Sequence, residues 1–190
     1  MNISLLTQSI FDHLYHDITQ FRETFGLTCN SPESLNDKED QLHSSLIIEE
    51  LTELAEAPCK VEQADAIIDS VYVLMGRLVH LGNDKVSDNL TISYLIELFL
   101  NVAKQLDINF LPCWDEIHSS NMSKVCRSQS EYQDTQAFYA KQGIELVDSI
   151  KGDFIIAKCA KDVQMKGKVV RQGKVLKSVY YRPADLSQLV

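Results

Sequence analysis

Carboxylates recur at helical spacing in two neighbouring stretches, IIEELTELAEA (47–57) and VEQADAIIDSVYVLMG (61–76). In the first, Glu50 and Glu53 stand three apart and share one face of a helix. In the second, Glu62, Asp65 and Asp69 occupy positions i, i+3 and i+7 of another. The latter three sit among Val61, Ala64, Ile67, Ile68, Val71 and Met75, so they border the apolar side of their helix. Two carboxylates about 6 Å apart repel by roughly 3 kcal/mol at an effective dielectric near 20. Aspartate is also a weak helix former. A divalent cation with a preference for oxygen ligands offsets both costs. Magnesium is such an ion, and it keeps waters and bridges substrate phosphates. The chemistry implied is attack of a polarised water on a phosphoryl centre. Acid runs on helices are also commonly solvated faces, a role that suits Glu39, Glu49 and Glu56. The pattern by itself weighs the two readings equally.

The elements that position these groups follow from hydrophobic spacing. Ile3, Leu6, Ile10, Leu14, Ile18 and Phe21 form one stripe and predict a helix over 3–24, stopped at Phe25-Gly26. Residues 28–37 are turn-rich. A second helix is expected from about Lys38 to Ala57, capped by Asp37 or a nearby polar residue and ended by Pro58. A third runs from about Val61 to Leu81 and stops at Gly82-Asn83. The short joint between these two makes them an antiparallel hairpin. A fourth covers about Ser87 to Leu106, and a fifth about Pro112 to Ser123. The texture then changes. Residues 129–142 read as a short helix, and 144–148 and 153–159 as strands joined around Lys151-Gly152. The expected architecture is all-α, a bundle of about five helices (1–126), with a small α+β insert (127–170) and a tail (171–190) returning to the core.

Composition excludes several classes. The 190 residues carry a formal charge of −9, which disfavours general nucleic-acid binding because phosphate contacts need Lys and Arg. The acids concentrate in the first hundred residues, and basic charge gathers between Lys124 and Arg182. That asymmetry suits an acidic metal site beside a basic phosphate grip. No apolar run is long enough to span a membrane. The segment MNISLLTQSIFDHLYHD does not read as a secretory signal. The five cysteines (Cys29, Cys59, Cys113, Cys126, Cys159) are scattered without a CxxC pair, so reduced thiols and a cytoplasmic setting are expected.

The acid pair Glu49-Glu50-x-x-Glu53 followed by a second acidic helix resembles the MazG-like, all-α nucleoside triphosphate pyrophosphohydrolases. ADAIIDSVYVLMG is similar to the corresponding helix of their phosphoribosyl-ATP pyrophosphohydrolase-like branch. The segments Phe21–Leu27 (FRETFGL), EIHSSNMSK (116–124) and GKVLKSVYYRPADL (173–186) also match that branch, in the right order. The resemblance spans 1–125 and 171–187. It implies a helical bundle that forms a homodimer or homotetramer. It implies Mg²⁺-dependent cleavage of nucleoside or deoxynucleoside triphosphates between the α and β phosphates, with Mn²⁺ as a substitute ion, in nucleotide-pool house-cleaning. By the same resemblance Glu50, Glu53, Glu62, Asp65 and Asp69 are the metal ligands. Either Glu49 or Glu50 orients the attacking water. Asn121, Lys124, Lys177, Tyr180 and Arg182 contact the substrate. One departure is plain: Asp69 holds the Asp of the family's ExxD pair, but Ala66 stands where its Glu belongs, and Glu62 and Asp65 lie one turn earlier.

Several residues read in two ways. Lys124 is a phosphate contact or a lysine favoured by a helix C-terminus. Trp114 suits a core or interface position better than a base platform. Tyr180 and Tyr181 read equally as stacking rings or as anchors of the tail. The five histidines show no ligand spacing, and Gly167 and Gly173 form no phosphate loop. Two rival functions remain: a nucleotide-binding module without turnover, motivated by Ala66, and a structural bundle whose insert binds a protein.

Overall fold

The computed structural model describes residues 3–165 and 168–190; Gly167 lies outside them. Among the described residues, six α-helices and one short 3-10 turn (Pro32–Ser34) precede two short hairpins: α1 (Gln8–Phe25), α2 (Asp37–Glu56), α3 (Lys60–Leu81), α4 (Leu90–Gln105), α5 (Phe110–Met122), α6 (Gln129–Ala140), β1 (Leu146–Lys151), β2 (Phe154–Cys159), β3 (Val163–Met165) and β4 (Lys168–Val170). The mostly helical class with a small β region near the C-terminus agrees with the sequence expectation. The chain divides into two compact units. One comprises 1–23, 27–118 and 185–190; the other comprises 24–26 and 119–184.

The first unit is built around α3. Its residues Ala64, Ile67, Ile68, Val71, Met75 and Leu78 are fully buried. That burial explains how a helix so apolar on several faces remains in water. Phe11 and Leu14 of α1, Ile96 and Ala103 of α4, and Cys113 and Trp114 of α5 complete the same core. Helix α1 starts later than its apolar stripe suggests. The amides of Ser4, Leu5 and Leu6 donate instead to the Glu97 carboxylate of α4, at 2.7 to 3.1 Å. A carboxylate there satisfies the amides of the segment leading into α1, which no helix or strand pairs. Asn36, rather than Asp37, caps α2 by accepting from the amides of Lys38 and Glu39. Helix α3 ends at Gly82 in the left-handed conformation, where an added Cβ would also meet Asn30 at 3.2 Å.

The second unit has its own core. Cys126, Tyr132, Ile144, Leu146, Ala157 and Cys159 are buried together, with Tyr139 packed against them. Ser128 caps α6 through the amide of Glu131, and Glu131 accepts from the amide of Arg127. β1 and β2 pair antiparallel, from Leu146 opposite Cys159 to Lys151 opposite Phe154. The first strand thus starts two residues later than the sequence suggested. The turn falls on Gly152-Asp153, where Gly152 supplies a positive φ. The hairpin β3–β4 was not foreseen, because its strands are only three residues each.

Candidate active site

Helices α2 and α3 form the hairpin that carries the acids. Its register is fixed at the open end. Arg77 of α3 is ion-paired with Asp40 of α2, and His43 Nε2 lies 3.2 Å from His80 Nδ1. The ring of His80 is held in turn by Ser34 Oγ at 2.7 Å. Both rings are buried and neutral: burial, followed by the charge of Arg22, pulls His43 down to about 4. Counting from these contacts toward the short Ala57–Cys59 joint brings Glu50 and Glu53 opposite Asp65 and Asp69.

The electrostatics of Glu50 report the convergence. Its carboxyl is pushed up to about 7, first by burial, then by the negative charges of Asp69, Glu53, Glu49 and Asp65, in that order. Asp65 is raised as well, by burial and then by Glu62. Glu62 therefore acts on Asp65 and stands at the margin, while Glu50 lies at the centre. Among the described residues, no Lys, Arg or His forms an ion pair with Glu50, Glu53, Glu62 or Asp65. Glu49, Glu53 and Glu62 have exposed side chains; Asp65 keeps its contact with solvent while partly enclosed by its neighbours, and Glu50 and Asp69 are half-buried. The donor oxygens of the α2–α3 acids do not close in threes to within 4.8 Å of one another. The group is an open acidic cleft rather than a preformed cage. Ala66, at the position where the family pattern has Glu, is buried and contributes to the apolar wall.

The basic candidates belong to the second unit. Lys124 Nζ donates to Asn121 Oδ1 at 2.6 Å, so these two are brought together. Lys177 Nζ sits 4.1 Å over the ring of Tyr181, a cation–π contact. Tyr180 donates its hydroxyl to Asp134 at 2.8 Å, and Tyr181 accepts from Ser120 Oγ at 3.1 Å. The guanidinium of Arg182 donates to Ser119 Oγ. Tyr180 and Arg182 line a polar pocket of about 440 Å³ with Arg127, Ser119, Ser123 and Glu131. Two guanidinium groups and three hydroxyls give that pocket the donors an anion needs. Arg127 was not singled out from sequence, because it lacks a motif neighbour.

Sequence spacing also missed a group on α1 and α5. His13, Asp17 and Asp115 bring three ligand atoms within 4.8 Å of one another. Trp114 is wholly buried beside them and donates Nε1–H to Asp17 at 2.9 Å, which makes it a core residue and removes it as a base platform.

Residues 18–89 match the family model of phosphoribosyl-ATP pyrophosphohydrolase. The match runs from the middle of α1 through the acidic α2–α3 hairpin, and this part of the chain is similar to a MazG-like pyrophosphohydrolase family, whose members are hydrolases. The segments EIHSSNMSK and GKVLKSVYYRPADL lie outside the matched residues. No curated protein and no solved structure matches the chain.

Proposed function

We propose that this protein hydrolyses nucleoside or deoxynucleoside triphosphates to monophosphate and pyrophosphate, with Mg²⁺ or Mn²⁺, and clears unwanted nucleotides from the cytoplasmic pool. The observation that carries the reading is the crowding of charge about Glu50 on a hairpin that matches a pyrophosphohydrolase family. A carboxyl held near 7 by burial and by four like charges sits in a site with surplus negative potential and oxygen donors only. A hard divalent cation fits that donor set. Glu50, Glu53, Asp65 and Asp69 would hold it, with Glu62 at the rim. Donors spread wider than a direct-contact cage suit an ion that retains waters. The bound ion supplies charge neutralisation to the phosphate oxygens.

The chain's own residues do the rest. Glu50, at the centre of the acids, orients the attacking water and takes its proton. Glu49, exposed on the same helix, orients water at most. In the second unit, Lys124 with Asn121, and Arg182 with Tyr180, supply donors for phosphate oxygens, and Lys177 adds positive charge on the tail. Exposed Leu42, Ile48 and Leu51 on α2, with Tyr94, Leu95 and Leu98 on α4, favour a homodimer or homotetramer that covers them.

The test is a pyrophosphate-coupled assay over the common NTPs and dNTPs with product identification. Monophosphate and pyrophosphate are expected with Mg²⁺, and neither with a chelator. Glu53→Gln lowers kcat at least ~10²-fold while the helical content stays unchanged. Undiminished turnover in that variant overturns the site. Magnesium-dependent nucleotide binding without pyrophosphate release favours a binding module in place of an enzyme.

A further inference from the structure

We propose that α1 and α5 carry a second metal site of a different kind, for a borderline transition-metal ion such as Zn²⁺. Its ligands are His13 and Asp17 of α1, and Asp115 and His118 of α5. The site is separate from the acids of α2 and α3 and does not rest on the proposed hydrolysis.

Each helix supplies one imidazole and one carboxylate. His13 and Asp17 are one turn apart, as are Asp115 and His118, so each pair projects from one face. His13 Nε2 lies 2.9 Å from Asp115 Oδ1 and 3.3 Å from Asp17 Oδ2. His118 Nε2 lies 3.9 Å from Asp17 Oδ1. Four donors held tetrahedrally at zinc's usual bond lengths stand about 3.3 Å apart. His13, Asp17 and Asp115 already bring one donor each to within 4.8 Å of one another, and His118, 3.9 Å from the other Asp17 oxygen, turns in to complete the set. Two imidazoles and two carboxylates also form a mixed nitrogen and oxygen set, which favours zinc over magnesium. The two carboxylates together balance a doubly charged ion.

The surrounding contacts aim the ligands. Trp114 Nε1–H donates to Asp17 Oδ2 at 2.9 Å from a wholly buried ring, which fixes that carboxylate. Tyr72 Oη is 3.1 Å from His118 Nδ1. With His118 as the Nδ1–H tautomer, Tyr72 accepts from it and the Nε2 lone pair is free to ligate. His118 Nε2 then gives up Gln20 Oε1, 3.2 Å away. Outer partners of this kind set ring orientation and ligand basicity in metal sites. A bare salt bridge does not require them: His13 and Asp115 are 46% and 59% exposed, and an exposed ion pair contributes little. The site's effect is to clamp α1 to α5 within the helical unit.

The test is equilibrium dialysis of the full chain against zinc chloride with Mg²⁺ in large excess, which occupies the hard oxygen site. Bound zinc is read by mass spectrometry, and Co²⁺ substitution reads coordination from the visible d–d bands. About one zinc per chain and an intense tetrahedral cobalt spectrum are expected. His13→Gln and Asp115→Asn alter exposed side chains, so both variants fold. Each weakens zinc binding at least tenfold, while Glu53→Gln retains it. The site is overturned if zinc does not bind, or if it binds His13→Gln and Asp115→Asn as tightly as the parent. Loss of zinc in Glu53→Gln alone also overturns it.

Discussion

Replacing Glu50 by Gln should stabilise the metal-free protein at alkaline pH while it abolishes turnover. Burial and the carboxylates of Asp69, Glu53, Glu49 and Asp65 raise this group from 4.5 to about 7. The folded chain therefore binds more protons than the unfolded one across that interval. Stability must fall as pH rises from about 4.5 to about 7 and stay low above it. Taken whole, the displacement corresponds to about 3 kcal/mol. Glu50 is half-buried, and solvent screening reduces this to about 1–2 kcal/mol. Glutamine has nearly the same volume, keeps an acceptor and carries no charge. In chelator at pH 8, Glu50→Gln should therefore be about 1–2 kcal/mol more stable than the parent, or roughly 2–6 °C higher in Tm. At pH 5, where the parent's Glu50 is already protonated in the fold, the gain should nearly vanish. Adding Mg²⁺ at pH 8 should stabilise the parent far more than the variant. Urea and thermal unfolding at the two pH values, with and without metal, read all of this. A variant that is less stable than the parent at pH 8, or that gains equally at both pH values, refutes the crowding of charge at this site.

Other perturbations test the frame around the hairpin. The imidazole resonances of His43 should remain neutral on acidification until about pH 4. Because its folded pKa lies below the unfolded value of 6.5, stability is lost as pH falls from about 6.5 toward 4; an NMR titration near 6.5 contradicts this. Glu97→Ala should cost about 2–4 kcal/mol in denaturant unfolding, since it leaves the buried amides before α1 without an acceptor. Ser70→Ala should stabilise by about 1 kcal/mol, because Ser70 Oγ is buried without a hydrogen-bond partner among the described residues and alanine favours helix. A loss of stability in Ser70→Ala shows instead that the hydroxyl is satisfied.

The acid hairpin was legible because its two signals agree. The apolar stripe of α3 names its buried face, and the carboxylates at Glu62, Asp65 and Asp69 fall beside that stripe at helical intervals. The short Pro58 joint then leaves an antiparallel partner as the one economical arrangement, and the Asp40–Arg77 and His43–His80 contacts fix the register. What the intervals do not contain is which acid lies deepest. Glu50 and Glu49 differ by a rotation of about 100° about the same helix, and only packing against α3 half-buries one and exposes the other.

The cluster of His13, Asp17, Asp115 and His118 was illegible for a different reason. Its two halves lie about a hundred residues apart, and each half, taken alone, is an ordinary polar turn of helix. The pairing exists because Leu14 and Ile18 on α1 and Trp114 and Ile117 on α5 bury into the same core, which aligns their polar flanks. Glu97 illustrates the same rule from the opposite direction. A glutamate inside the apolar run of α4 reads as a surface position, yet it is buried because the amides of Ser4 to Leu6 need a long-range acceptor. In this chain, chemistry that depends on neighbours along one helix is visible in the residue spacing. Chemistry that depends on which helices share a core appears only once that core is assembled. A site composed of one turn from each of two distant helices therefore has to be sought at the edges of the buried core, where the last apolar contact and the first polar one lie on adjacent faces.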